Sequence, residues 1–429
     1  RPGALIPQGG FLALLNRMRN HFRDFLRNRR NFNPTRIVAG SFGVIILLGT
    51  LLLMLPAASR DGQSAGLFAS LFTATSASCV TGLIVADTWL QWSLFGQTVI
   101  LVMIQLGGLG FMTVITLFSL ALHRRIGLSE RLVMVSTLNL NDMDGVVRMV
   151  QHALMGTFCM EGAGALLLSL RFIPKYGLAG GLWRGVYHGV SAFCNAGFDL
   201  LGGYSGAFSS LAGFNDDPMV LLTTAALITV GGLGFFVWED VLQHRRWKKL
   251  SLYSRLVLSL TAALILFGAL FFFAVEYRNP ATLGPMPLWQ KGLNALFQSV
   301  TLRTAGFDAL GQGGLTDSSL ALSVIFMLIG GSSGSTAGGL KTVTVAVLLL
   351  AFRAGVRGRE EVTLRGRAIS HRRVMNAMTL TLMVVFLFMV SSMLLSTVDG
   401  LPFLSAAFEV ASAMGTVGLT VGITPGLKI

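Results

Sequence analysis

Four short phrases recur along the chain: CVTGL at 79–83, CNAGFD at 194–199, RTAGFD at 303–308 and GTVGLT at 415–420. Aligned on Gly82, Gly197, Gly306 and Gly418, they stand 115, 109 and 112 residues apart, a period that indicates internal duplication. Their common part holds little side-chain chemistry, so what they can offer is main chain. A desolvated alkali cation needs many oxygen ligands at once, and backbone carbonyls supply them without a full charge that would hold the ion too tightly. Glycine permits backbone angles that aim successive carbonyls to one side, and it lets chains approach closely. The candidate ligands are the backbone oxygens around Cys79, Val80, Thr81 and Gly82; Cys194, Asn195, Ala196 and Gly197; Arg303, Thr304, Ala305 and Gly306; and Gly415, Thr416, Val417 and Gly418. The ion they would hold is an alkali cation, and no organic cofactor is implied.

Such phrases need elements that bring four of them together, and composition identifies the solvent of those elements. Hydrophobic residues make up 53% of the chain, charged residues 12%, and the mean hydropathy is +0.69. A soluble domain carries about a quarter charged residues, so the bilayer is the expected environment. Spans of the required ~20 apolar residues fall at 37–55, 93–122, 150–173, 218–242, 256–276, 319–352 and 374–397. The N-terminus has no cleavable-signal pattern; its basic amphipathic run, FLALLNRMRNHFRDFLRNRR, reads as a helix on the membrane surface or against a partner.

Charge orients the spans. Of 33 Lys and Arg, 23 lie in four segments, 1–36, 123–131, 244–255 and 353–373, which the positive-inside rule makes cytoplasmic. A net charge of +14 could suggest nucleic acid, but Arg clusters tied to span ends signal topology, and no nucleic-acid partner is expected. His123, His244 and His371 each open such a run and read as surface residues. Cys79, Cys159 and Cys194 are too few and too scattered for a disulfide framework or a metal site. Cys79 and Cys194 occupy matching places where a small buried residue is expected.

Each period reads as a spanning helix, a short apolar segment, the glycine phrase and a second span. The short segments, 64–77, 181–192, 287–300 and 401–413, are too short to cross and are expected to enter from outside and stop midway. Their C-terminal ends would then favour a cation by up to about 2 kcal/mol. Ser76, Ser191 and Ser412 stand six places before their glycines; Val300 and Thr301 interrupt that pattern in the third unit. Every complete unit crosses twice, so all point the same way, as rotation about one axis requires. The divisions are 1–36, a basic cytoplasmic segment, then units at 37–131, 132–255, 256–373 and 374–429.

The outgoing span of the third unit is interrupted by GGSSGSTAGG, 330–339, too glycine-rich to hold a buried helix unaided. Irregular backbone at that depth is tolerated where it lines a water-filled cavity; a kink packed against neighbours is the alternative. The GGLGF sequences at 107–111 and 231–235 are expected to serve close helix packing. Arg303 should brace the phrase from behind, paired with a carboxylate such as Glu161 or Glu409. Asp199 and Asp308 either concentrate cations at an outer mouth or are ordinary loop acids. Lys341 is either a gate charge or snorkels to the boundary.

The four phrases, above all TVGLT, NAGFD and RTAGFD, resemble the selectivity-filter segments of the Trk/Ktr/HKT superfamily of potassium transporters, and the resemblance covers almost the whole chain. It is most similar to the membrane subunits of bacterial Ktr systems, the KtrB type. The resemblance implies an all-α membrane protein of four parallel helix/pore-helix/helix repeats around one central pore, like a K+ channel. Four filter glycines would go with potassium preference, so the resemblance makes K+ the ion held, with Na+ as a coupling or activating ion. It also makes 330–339 an intramembrane gate, formed by Gly330, Gly331, Ser332, Ser333, Gly334, Ser335, Thr336, Ala337, Gly338 and Gly339 with Lys341 beside it. A homodimer in the plasma membrane is implied, over a cytosolic ring of nucleotide-binding regulatory subunits of the KtrA type; the basic segments could dock these or anionic membrane lipids.

One departure stands out. The chain stops at Ile429, eleven residues after Gly418, without the fourth outgoing helix and the basic residue that the family places there. A pore lacking one wall helix should leak or fail to assemble, so a truncated sequence is expected. Within transport, the alternative is a sodium channel or Na+/K+ symporter of the same fold. A membrane-embedded lipid-modifying enzyme is a further alternative, against which stands the absence of paired carboxylates or a His-Asp set in the spans.

Overall fold

The computed structural model describes residues 34–110, 146–359, 361–364 and 367–427. The readings of 1–33, of the basic run 123–131 and of His123 lie outside them. The described chain is helical apart from a two-stranded hairpin, 363–364 paired with 367–368.

Helix α1 (Pro34–Leu53) opens on proline, whose missing N–H costs nothing at a first helical position, and at ~1.5 Å per residue its 20 residues reach about 30 Å. Helix α2 (Gly66–Ser78) is the first short segment. Helix α3 (Leu94–Leu109) starts where the Ser93 hydroxyl accepts from Gly96 N–H and stops at Gly110, φ +76°. Helix α4 (Val146–Phe193) fuses the second incoming span to its short segment, turning at Gly177, φ +74°. The expected 150–173 and 181–192 are thus two arms of one bent rod.

Helix α5 (Pro218–Leu233) begins under an Asp217 cap. The reading of 218–242 as one continuous span is corrected here: the chain breaks at Gly234, φ +87°, and α6 (Phe235–His244) leaves at 95°. Close packing accounts for part of GGLGF, because a Cβ on Gly107 would strike the Ser78 carbonyl and one on Gly231 the Phe193 carbonyl. The fourth residue of each sequence, Gly110 or Gly234, takes a positive φ that ends the helix.

Helices α7 (Leu252–Glu276), α8 (Leu288–Thr301), α9 (Asp317–Leu328) and α10 (Thr342–Val356) follow, the last two separated by the expected interruption. Helices α11 (His371–Asp399) and α12 (Phe403–Gly415) close the described order. Each incoming span packs on its own short helix: α1 on α2, α7 on α8, α11 on α12. Outgoing helices pack forward, α3 on α4, α5 on α8 and α9 on α12. The units therefore follow one another around a centre.

Apolar side chains cover the outside as well as the core. Leu51 on α1 is 62% exposed and Phe386 on α11 is 66% exposed, as lipid-facing surfaces require. Inside, Trp92, Phe172, Tyr187, Phe193 and Phe214 form one buried cluster, and Phe272, Phe326, Met327 and Phe408 form another. This is a membrane protein whose core encloses the glycine phrases.

Candidate functional site

Each glycine phrase begins at the C-terminal end of a short helix, α2, the second arm of α4, α8 or α12. The backbone then repeats one conformation four times. Val80, Asn195, Thr304 and Thr416 are left-handed, φ +53° to +63°, and the glycines two residues later have φ +69° to +97°. The residue between has no positive φ. Alternation of this kind turns successive peptide planes to the same side. Valine and threonine rarely adopt such angles, and each costs about 1–3 kcal/mol, a strain found where function demands it.

The four glycines meet. A Cβ on Gly82 would stand within 3.0 Å of the Ala196 carbonyl oxygen, one on Gly197 within 3.0 Å of that of Ala305, one on Gly306 of that of Val417, and one on Gly418 of that of Thr81. This order closes a ring, 82 to 197 to 306 to 418 and back to 82. Every glycine leans on the carbonyl that precedes the next glycine. Main-chain oxygen is thereby concentrated where four helix C-termini converge, which suits a cation and repels an anion.

The residue after each glycine anchors the ring. Leu83, Phe198, Phe307 and Leu419 are all buried. The Ser191 hydroxyl donates to the Phe198 carbonyl at 2.7 Å, and the Ser412 hydroxyl accepts from Gly418 N–H at 3.1 Å. In the third unit Thr301 does this, donating to the Phe307 carbonyl at 2.7 Å, one residue later than Ser191 and Ser412 stand in their units. Val300 and Thr301 thus keep the tether and shift it. Cys194 is buried as expected; Cys79, at the C-cap of α2 where the helix has ended, is exposed, contrary to expectation.

Arg303 is 7% exposed but pairs with neither Glu161 nor Glu409. Its guanidinium donates to the Gly330 carbonyl at 3.4 Å and reaches the Thr342 hydroxyl at 3.5 Å. The expected carboxylates are occupied elsewhere. Glu161 accepts from Gln105 at 3.0 Å, while Glu409 accepts from the hydroxyls of Thr420 (2.6 Å) and Thr424 (2.5 Å) and from Val421 N–H. Arg303 therefore braces the interruption rather than balancing an acid.

The 330–339 segment lies against three of the four phrases. Arg303 of the third holds its base. The Thr336 hydroxyl donates to the carbonyl of Phe193, just before the second, at 3.1 Å. A Cβ on Gly338 would collide with the Thr416 hydroxyl of the fourth. Gly330 and Gly331 bond to Leu340 and Thr342 across the neck, the Ser335 hydroxyl donates to the Ser332 carbonyl, and Lys341 donates to the Ala337 carbonyl at 2.6 Å. The Lys341 ammonium is folded onto the loop and does not snorkel away.

Asp308 accepts from the N–H groups of Leu310, Gly311 and Gln312, and Asp199 from that of Leu201. Both carboxylates shape their own loops. His244 and His371 are on the surface. Two residues that the sequence reading passed over are buried beside the second phrase. Arg184 lies between the rings of Trp89 and Tyr176 and donates to the Leu200 carbonyl, and His188 bonds to Leu200 N–H. Only an i, i+4 spacing of basic residues on an otherwise apolar short segment could have signalled them.

Comparison with known proteins accords with this geometry. A family model described as TrkH, cation transport protein, matches residues 10–428. The chain is 41% identical over 407 residues to the potassium/sodium uptake protein NtpJ of Enterococcus hirae, covering 94% of this chain and 89% of that one. It is 39% identical over 396 residues to the Ktr system potassium uptake protein B of Bacillus subtilis, covering 92% and 87%. The fold is similar to the crystal structure of the potassium transporter TrkH from Vibrio parahaemolyticus, with a TM-score of 0.67, 18% identity, and coverage of 88% of this chain and 76% of that one.

Proposed function

The chain belongs to the TrkH family of cation transport proteins, and from that premise we propose that it takes up potassium across the plasma membrane through the glycine ring. The observation that carries the reading is the closed ring of Gly82, Gly197, Gly306 and Gly418 with its fourfold alternating backbone. K+ sheds its water and is held by carbonyls of 79–82, 194–197, 303–306 and 415–418 in turn. The loop 330–339 with Lys341 is the gate, a reading supported by its contacts to three of the four phrases.

The subunit works as a homodimer with a cytosolic nucleotide-binding partner of the KtrA type. The Bacillus subtilis relative is named as a protein of a Ktr system, which supports a multi-component assembly. The exposed basic corner at 244–249 is a docking surface for that partner or for anionic lipid.

Rescue of growth at low potassium, in a cell lacking its own uptake systems, tests the function. The chain should rescue and Gly418→Ser should not; equal rescue by both removes the ring from the mechanism. A second reading, sodium transport by the same ring, is favoured by the name of the Enterococcus hirae relative. Flux in Na+-only medium equal to that in K+-only medium would establish it.

A further inference from the structure

The break in the second unit lies at Gly234, between α5 and α6, outside the four glycine phrases. A helix broken at 95° frees backbone groups that a straight helix would bond internally, and buried groups of that kind must find partners. Here the partners are on the loop of the third unit. Ser332 N–H donates to the Gly232 carbonyl at 3.0 Å, Thr336 N–H to that of Gly231 at 3.3 Å, and Phe235 N–H to the Gly334 carbonyl at 3.0 Å. The Ser332 hydroxyl donates to the Leu233 carbonyl. From the start of α7, the Tyr253 hydroxyl donates to the Ser333 carbonyl at 3.3 Å.

We propose that the broken helix at 231–235 is the latch of the intramembrane loop, with Ser332 and Tyr253 as its positioning residues. The proposal rests on the reading of 330–339 as the gate. The loop's own cross-neck bonds, Gly330 to Leu340 and Thr342 to Gly331, lie at its base and survive a swing of its tip. The bonds to 231–235 and to Tyr253 do not, so they determine how easily the tip leaves the ion route. The latch is also tied to the cytoplasmic corner. Asp240 on α6 accepts from the N–H and hydroxyl of Ser251, and the Phe236 ring stands edge-on to Tyr253 at 5.3 Å. Helix α6 and the first turn of α7 therefore move together, and a displacement of that corner reaches the loop at Gly334 and Ser333 at once.

The test measures K+ flux in vesicles carrying the intact transport complex. Ser332→Ala, and separately Tyr253→Phe, should raise flux several-fold and leave the K+ to Na+ ratio unchanged. A chain with 332–336 deleted serves as the comparison. If the deletion raises flux and the substitutions leave it at the wild-type value, the latch is overturned and the gate stands. Should the deletion also leave flux unchanged, the gate reading falls and the latch with it. A Leu233→Cys, Ser332→Cys pair covers misfolding of the loss-of-bond variants: oxidation should abolish flux and reduction restore it, and undiminished flux in cross-linked protein overturns the proposal.

Discussion

The Val417 carbonyl oxygen occupies the space that a side chain on Gly306 would need, within 3.0 Å of where its Cβ would stand. Gly306 also has φ +77°, so alanine there meets both strain and a collision with main chain. Strain alone costs about 1–3 kcal/mol, and each ~1.4 kcal/mol is tenfold in a rate. Gly306→Ala should lower K+ uptake by at least about tenfold, as read by initial rates in K+-depleted cells. Wild-type rates would mean that the ring is not the route.

Three hydroxyl tethers, on Ser191, Thr301 and Ser412, hold the backbone at or just after the ring glycines. Ser191→Ala and Thr301→Val should each lose about 1 kcal/mol of stability and reduce discrimination between K+ and Na+ in competitive flux. Val300→Ser should leave the discrimination unchanged, because in the third unit the tether has moved to Thr301, and should cost only the stability of a lost core side chain.

Arg303 has no carboxylate within salt-bridge distance among the described residues. Breaking a buried ion pair costs about 3–5 kcal/mol because a charge is left behind. Arg303→Gln removes only hydrogen bonds from a charged donor, about 1.5–3 kcal/mol. Chemical unfolding in detergent should fall in the lower range, and basal flux should rise as the loop loses its hold at Gly330. A loss in the upper range would reveal an acid that the described residues do not contain.

Glu409 gathers Thr420, Val421 and Thr424, the segment that leaves the fourth phrase. Glu409→Ala leaves three donors unpaired, and the one on Thr424, which is buried, costs about 1–3 kcal/mol by itself. It should lower the melting temperature sharply and abolish uptake. Glu409→Gln, which retains one acceptor oxygen, should melt between the two; equal melting of all three proteins would remove Glu409 from the support of the ring.

Much of this protein is written in local sequence. Membrane residence, the short helices, the interruption at 330–339 and the importance of four glycines all follow from composition, length and period, because apolar run length and glycine content act on the backbone where they occur. Long-range pairing is not written there. Nothing near Arg303 indicates that it would reach Gly330 instead of Glu161 or Glu409. Nor does GGLGF at 231–235 reveal that its break would receive a loop a hundred residues away. Those contacts are largely bonds to main-chain carbonyls, which every residue carries alike. Only the tertiary arrangement, with four units closing around one centre, decided which of them met.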